Sequence, residues 1–474
     1  MATFHIENFG CRATQADAAA IERQLLDRGF VPAKDAAHAE VVVVNTCTVT
    51  AAADSQAREA VRRIHRSSPA ARILAAGCYA QRAPEELAAL PGVAWVVGNS
   101  HQAEIPLLFP QIRPAREGAG NFFPLEQLDA GPASLERGPA KILTGDIFAL
   151  TDFSLIDLRA PSLLGNECGR TRPVLKIQDG CNNRCAYCVI PLVRGRSRSL
   201  PPVRVVEEIR RFVEAGAKEI VLSGINLGSY GRDLAPRAGF GDLLRRIVDE
   251  TPLERLRLSS IEPMDVTQDL IERIASSRRI APHFHMPLQS ASDRILGAMH
   301  RWYRADHYRR RVELIAERLP DAAIGADVIA GFPGETEDDH RRTLEFIAAL
   351  PFTYLHPFAF SKRPGTAAVA LADEVPRAVI GRRSRELRAL GAEKNSTFRA
   401  GQEGKTLRVL TLHRTGEGLR ANKEGETSSG ENSWTGALSA NYLNIRVAGR
   451  WPANTWLDVR VAAAGPYLLG TPVT

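Results

Sequence analysis

Seven cysteines in 474 residues are too few for a disulfide-built scaffold, and three of them crowd into the twelve residues "GCNNRCAYCVIP", 180 to 191. Long apolar runs are missing too. No stretch approaches the roughly 20 residues of a membrane span, so no membrane partner is expected. The start "MATFHIENFGC" has neither the basic flank nor the apolar core of a secretory signal and reads as a strand. A cytoplasmic location follows as the expectation. In a reducing compartment grouped cysteines serve as metal ligands rather than as disulfides. A large excess of one charge is missing too: a net +7 and a pI near 9.1 suit a polyanionic partner without requiring one. Residues 106–171 hold no repeat or low-complexity tract. The length calls for two or three domains.

Within those limits the chain alternates strand and helix signals. Residues 1–105 read "TFHIENF", "EVVVVNT", "ARILAAG" and "VAWVVG" as near-continuous apolar strands between amphipathic helices. That pattern predicts an α/β domain with a doubly wound parallel sheet. Residues 106–171 read as an extended connection with some strand near "DIFAL" and "SLIDLRA". It holds Cys168, which has no partner spacing and reads as a bystander. From 172 to 394 a strand-then-helix unit occurs six times ("VLKIQ", "EIVLSG", "RLRLSS", "HFHMPL", "AIGADVIAGF", "YLHPFAF"), predicting a partial (β/α)6 barrel. A polar, basic helix closes this region. Residues 395–474 alternate apolar and polar residues between glycine-rich turns, as a small antiparallel β-barrel does. Nine Lys/Arg against six Asp/Glu there favour RNA weakly. The arginine clusters 301–311 and 381–388 read as solvated helix faces or as contacts to a polyanion.

The cysteines fall at one kind of place. Cys11, Cys47 and Cys78 each follow an expected strand of the first domain, and "GCNNRCAYC" follows the first barrel strand. In both architectures the carboxyl ends of the strands form the ligand-binding edge. Cys181, Cys185 and Cys188 supply three thiolates to a 4Fe–4S cluster and leave one iron free. A short C-x3-C-x2-C also occurs in zinc sites, which are usually closed by a fourth ligand.

This spacing, with Tyr187 before the third cysteine, resembles the radical S-adenosylmethionine superfamily. "ENFGCRATQAD", "VVVVNTCTVT" and "AAGCYAQ" further resemble the three cysteine motifs of the methylthiotransferase family, and the likeness covers nearly the whole chain. The resemblance implies a radical SAM barrel, a C-terminal TRAM-type module and two 4Fe–4S clusters, the second held by Cys11, Cys47 and Cys78. It implies S-adenosylmethionine on the free iron of the first cluster, cleaved reductively to a 5'-deoxyadenosyl radical, and sulfur insertion with methyl transfer at an unreactive C–H bond. "CTVT", "LSGINLGSYG" and "SSIEP" are most similar to the bacterial branch that methylthiolates N6-threonylcarbamoyladenosine at tRNA position 37. Thr14 and Ala291 depart from the family's asparagine and glycine; neither is a ligand.

The same resemblance places Gly224, Ser260, Glu262 and Gln289, with Tyr187, on the cofactor side, and "GFPGET" (331–336) facing the adenine. Arg194, Arg196 and Arg198 follow the cluster cysteines and are expected to neutralise RNA or cofactor charge, the plain alternative being a solvated loop. Trp434 and Tyr442 stand as core residues or base-stacking residues. The implied partners are a tRNA anticodon stem-loop, a reductant protein and a sulfur source; no residue is singled out as a general acid or base. Alternatives are the isopentenyladenosine branch, methylthiolation of a ribosomal-protein aspartate, and a non-catalytic iron–sulfur RNA-binding or redox-sensing protein.

Overall fold

The computed structural model describes residues 2–109, 139–151, 153, 171–417, 433–464 and 467–473. They fall into two units: 1–159 with 189–195, and 160–188 with 196–474. Cys168 and "SLIDLRA" lie outside the described residues.

In the first unit Val41, Val43, Leu74 and Ala76 point to one face of a parallel sheet and Val42, Val44, Ile73 and Ala75 to the other. The first face packs on Ile21 and Leu25 of the helix Arg12–Asp27, and the second on Val61 and Ile64 of Ala51–Ser67. Both faces being apolar, the strands must be covered on both sides, which makes the sheet doubly wound as expected. Its order is Val31–Pro32, Thr3–Asn8, Val41–Thr46, Arg72–Gly77, Val93–Gly98, Lys141–Leu143. The two short edge strands were not anticipated. "DIFAL", expected as strand, instead forms the 3-10 turn Ile147–Ala149, because Asp146 accepts the amide of Phe148 and bends the chain.

In the second unit the strands Val174–Asp179, Glu219–Gly224 and Arg255–Leu258 pair in parallel, as do His283–His285, Ala323–Ala330 and Tyr354–Ala359. Parallel bridges Leu256–Ile280 and Ser260–His285 join the two sets. Six neighbouring strands in sequence order form the expected partial barrel. The 24-residue helix Arg377–Ala400 follows, and then five strands between Thr406 and Pro472 close into a barrel. This small barrel is held to the amino ends of the larger one. Arg257 donates to the carbonyls of Ala440 and Ser439 at 2.9 Å each, and Arg255 to that of Arg408 at 3.1 Å. Among the described residues no helix is long and apolar enough to cross a membrane.

Candidate functional site

Two glycines bring the first three cysteines together. Gly10 has φ +107°, and a Cβ there would lie 2.6 Å from Cβ of Cys47; Gly77 has φ +97°, with its virtual Cβ 2.6 Å from the Thr46 carbonyl. Only glycine tolerates such backbone at such distances. Each glycine immediately precedes a cysteine, so Cys11 and Cys78 are delivered beside the strand end that carries Cys47. Thr14, which stands where the family has asparagine, donates its hydroxyl to the Cys11 carbonyl at 2.7 Å in the first helical turn. Cys47 and Cys78 are buried and Cys11 is exposed.

Burial, followed by the charges of Cys78 and Cys11, pushes the Cys47 thiol up to about 12, and burial raises Cys78 as well. Such buried thiols stay protonated unless a cationic centre lies beside them. The surroundings fit one: Arg194 Nε donates to Cys78 Sγ at 3.2 Å and Asn99 Nδ2 at 3.4 Å. Arg194 in turn pairs with Asp17 at 2.7 Å, both about 1% exposed. A metal cluster deprotonates its ligand thiols outright, and donors to sulfur tune such clusters.

In the second unit the loop carrying Cys181, Cys185 and Cys188 leaves the carboxyl end of the first barrel strand. Gly180, at φ +69°, makes the turn, and Gln178 Nε2 ties it by donating to the Gly180 carbonyl (2.8 Å) and to Ser197 Oγ (2.9 Å). Ala186 anchors the far side in an apolar cluster with Ile295, Met299, Phe332 and Ala368. The Asn183 amide donates to Cys181 Sγ at 3.4 Å, and Arg301 Nη1 to Cys185 Sγ at 3.3 Å. Burial raises the Cys181 thiol. None of the three thiols is in a disulfide, and the amide and guanidinium donors to Cys181 and Cys185 suit ligands of an iron–sulfur cluster.

Arg301 also pairs with Glu262, whose carboxyl burial pushes up against the pull of Arg301. Sequence reasoning missed this link, because Arg301 sat in a cluster read as a solvated face or polyanion contact. Its exposed neighbour Trp302 follows that reading; Arg301, 7% exposed, does not. Gln289 is buried at φ +62°, unusual for a residue with a side chain. Its amide donates to the Asp327 carbonyl at 2.8 Å. Ser260 bridges to His285, Gly224 ends its strand against Gln178, and the half-buried Tyr187 sits edge-on to Phe332. In "GFPGET" Glu335 accepts from the Gly331 amide and pairs with Arg383, so this turn is braced by the long helix.

The arginines after the cysteines depart from the expected RNA contact. Arg194 is committed to Asp17 and Cys78, and Arg198 is buried in the short strand Arg198–Ser199 opposite Asp179. Buried guanidinium groups do not face RNA, and of the three only Arg196 is exposed. Tyr442 stacks on His283 with ring centres 4.3 Å apart, and Trp434 lies under Arg446.

A partial parallel barrel with a three-cysteine loop at its carboxyl edge defines the class: a radical SAM enzyme. Residues 175–347 match the radical SAM superfamily, and 3–98 match a family described as Uncharacterized protein family UPF0004. The threonylcarbamoyladenosine tRNA methylthiotransferase of Aquifex aeolicus is 36% identical over 86% of this chain and 92% of its own. The tRNA-2-methylthio-N(6)-dimethylallyladenosine synthase of Sphingopyxis alaskensis is 33% identical over 99% and 97%. The chain belongs to the radical SAM methylthiotransferase family, and with it come S-adenosylmethionine and a 4Fe–4S cluster as cofactors. Among solved structures, the radical S-adenosylmethionine methyltransferase TsrM of Kitasatospora setae superposes with a TM-score of 0.52 over 78% of this chain and 77% of its own. At 17% identity the likeness concerns fold alone.

Proposed function

We propose that this enzyme converts N6-threonylcarbamoyladenosine at tRNA position 37 to its 2-methylthio derivative. The observation that carries the reading is the pair of threonylcarbamoyladenosine tRNA methylthiotransferases, from A. aeolicus and Bacillus subtilis, at 36% and 34% identity over 86% of this chain. The words "CTVT" and "SSIEP" point the same way. In this reading Cys181, Cys185 and Cys188 hold the cluster whose bound S-adenosylmethionine supplies the 5'-deoxyadenosyl radical. Cys11, Cys47 and Cys78 hold a second 4Fe–4S cluster at which incoming sulfur sits. Arg301 and Glu262 brace the first site: the guanidinium donates to a ligand sulfur while the carboxylate is held for the cofactor's amino or ribose groups. Gly224, Ser260, Gln289 and Tyr187 complete the cofactor side.

The tRNA anticodon stem-loop is recognised by the C-terminal barrel, whose strands lie between Thr406 and Pro472, and by exposed cations such as Arg196; a reductant protein and a sulfur source complete the cycle. The target adenine must leave the loop's stack to enter the barrel. Binding energy from the remote threonyl group then places C2, where misplacement costs rate steeply.

The S. alaskensis relative, covering 99% of this chain at 33% identity, favours a second reading, dimethylallyladenosine-37. Anaerobic reactions with threonylcarbamoylated tRNA, isopentenylated tRNA and the ribosomal protein decide between them by the added methylthio mass. Product with threonylcarbamoylated tRNA is expected. Product only with either of the others overturns the assignment.

A further inference from the structure

His285, Asp327 and His356 stand on three adjacent strands of the larger barrel, and one ligand atom from each lies within 4.8 Å of the other two. The register explains the convergence. Asp327 and His356 are direct partners across parallel strands, and His285 pairs with Gly325, two residues before Asp327 and therefore on the same face. The other face of that strand carries Ile324, Ala326 and Val328, all buried. In a (β/α) barrel one strand face meets the helices and the other lines the interior, so the three polar side chains share the interior.

Their geometry is that of ligands around a common point. His285 Nε2 and His356 Nδ1 lie 3.2 and 3.3 Å from the same oxygen, Asp327 Oδ1. Cis ligands about 2.1 Å from one ion are separated by about 3 Å. Yet His285 Nε2, fully buried, makes no hydrogen bond: the nitrogen is near the oxygen but not directed at it. An Asp–His pair serving only to orient a ring would align that bond.

The His285 ring is held in place from behind. Tyr354 lies over Gly325, where a Cβ would come within 2.0 Å of the Tyr354 ring. Its ring runs parallel to that of His285, at 8° with centres 5.8 Å apart, and its hydroxyl contacts His283 Nε2 at 2.8 Å. Outer partners that fix a ligand's orientation are a regular part of metal sites.

We propose that His285, Asp327 and His356 bind one first-row divalent cation, zinc or ferrous iron, separately from the six cysteines. Two imidazoles and one carboxylate suit such ions and leave positions open to an oxygen ligand in the barrel. His356 is the most exposed of the three, with 54% of its side chain accessible, so its replacement tests the site without emptying a core.

The test uses the full chain with its iron–sulfur clusters reconstituted and zinc as the probe, in anaerobic equilibrium dialysis. One tightly held zinc per chain is expected, with at least a tenfold weaker dissociation constant in His356→Ala and in Asp327→Asn. Iron and sulfide contents and the melting temperature of His356→Ala should equal the parent's. X-ray absorption at the zinc edge should show nitrogen and oxygen neighbours without sulfur. Equal zinc binding by parent and His356→Ala, or a sulfur shell around the zinc, overturns the proposal. Neither outcome depends on which tRNA is the substrate.

Discussion

The Arg194 guanidinium joins Cys78 Sγ to Asp17, at 3.2 and 2.7 Å, inside the first unit. A donor to a ligand sulfur withdraws electron density and raises the reduction potential of a cluster bound there. With the proposed second, auxiliary cluster on Cys11, Cys47 and Cys78, Arg194→Gln should therefore lower that cluster's potential and loosen its iron while leaving the cluster at Cys181, Cys185 and Cys188 unchanged. Removing one partner of a buried ion pair also costs stability, on the order of 3 kcal/mol or more. Redox titration followed by electron paramagnetic resonance reads both clusters separately. An unchanged auxiliary signal would remove Arg194 from that site.

Gly10 is the hinge of the same site. Gly10→Ala adds a methyl 2.6 Å from Cβ of Cys47 at φ +107°, a left-handed conformation that L residues enter at a cost of about 1–2 kcal/mol. The strand end has to shift, which separates Cys11 from Cys47. The expected result is a loss of about half the iron per chain, with S-adenosylmethionine cleavage retained. Full iron loading in Gly10→Ala would contradict the placement.

The two cysteine trios should separate chemically. Cys185→Ala is expected to abolish 5'-deoxyadenosine formation, because three thiolates are needed to leave one iron open in an intact cluster. The Cys11/Cys47/Cys78 triple alanine variant should keep that activity and lose sulfur insertion. Cleavage at the parent rate by Cys185→Ala, measured anaerobically after reconstitution, would refute the radical assignment.

The trios and strands were legible because their signals are local. Alternation along "VVVVNT" and the three-and-two spacing within "GCNNRCAYC" are complete within a few residues. What escaped depends on distant pairing. Arg194 meets Asp17 across 177 positions, and Arg301 meets Cys185 across 116. Nothing in "VRGRSRS" distinguishes a buried arginine from an exposed one, so all three read alike although Arg194 and Arg198 are inside. His285, Asp327 and His356 escaped for the same reason: they are neighbours only once three strands are in register.

Glu219 anchors the opposite end of the barrel and gives the last prediction. Its buried carboxylate sits among Arg257 at 2.7 Å, Arg172 at 3.2 Å and Arg255 at 3.4 Å. Burial alone would raise this group, but the guanidinium charges overcome it and lower the carboxyl from 4.5 to about 2. A depressed folded value means that the unfolded chain takes up the proton first as pH falls. The contribution is therefore full above about pH 5 and is lost between about 4.5 and 2, at up to about 1.4 kcal/mol per pH unit. Protonated, Glu219 no longer neutralises Arg257, which also carries the contacts to Ala440 and Ser439 of the C-terminal barrel. Glu219→Gln should flatten this acid dependence and destabilise the protein at neutral pH by on the order of 3 kcal/mol, since it leaves buried guanidinium charge uncompensated. Melting temperatures of parent and variant from pH 7 to 3 provide the check, and their difference cancels any acid loss of iron common to both. Limited proteolysis at pH 7 should release the C-terminal barrel faster in the variant. Parallel pH profiles in the two proteins would show that Glu219 does not hold this end together.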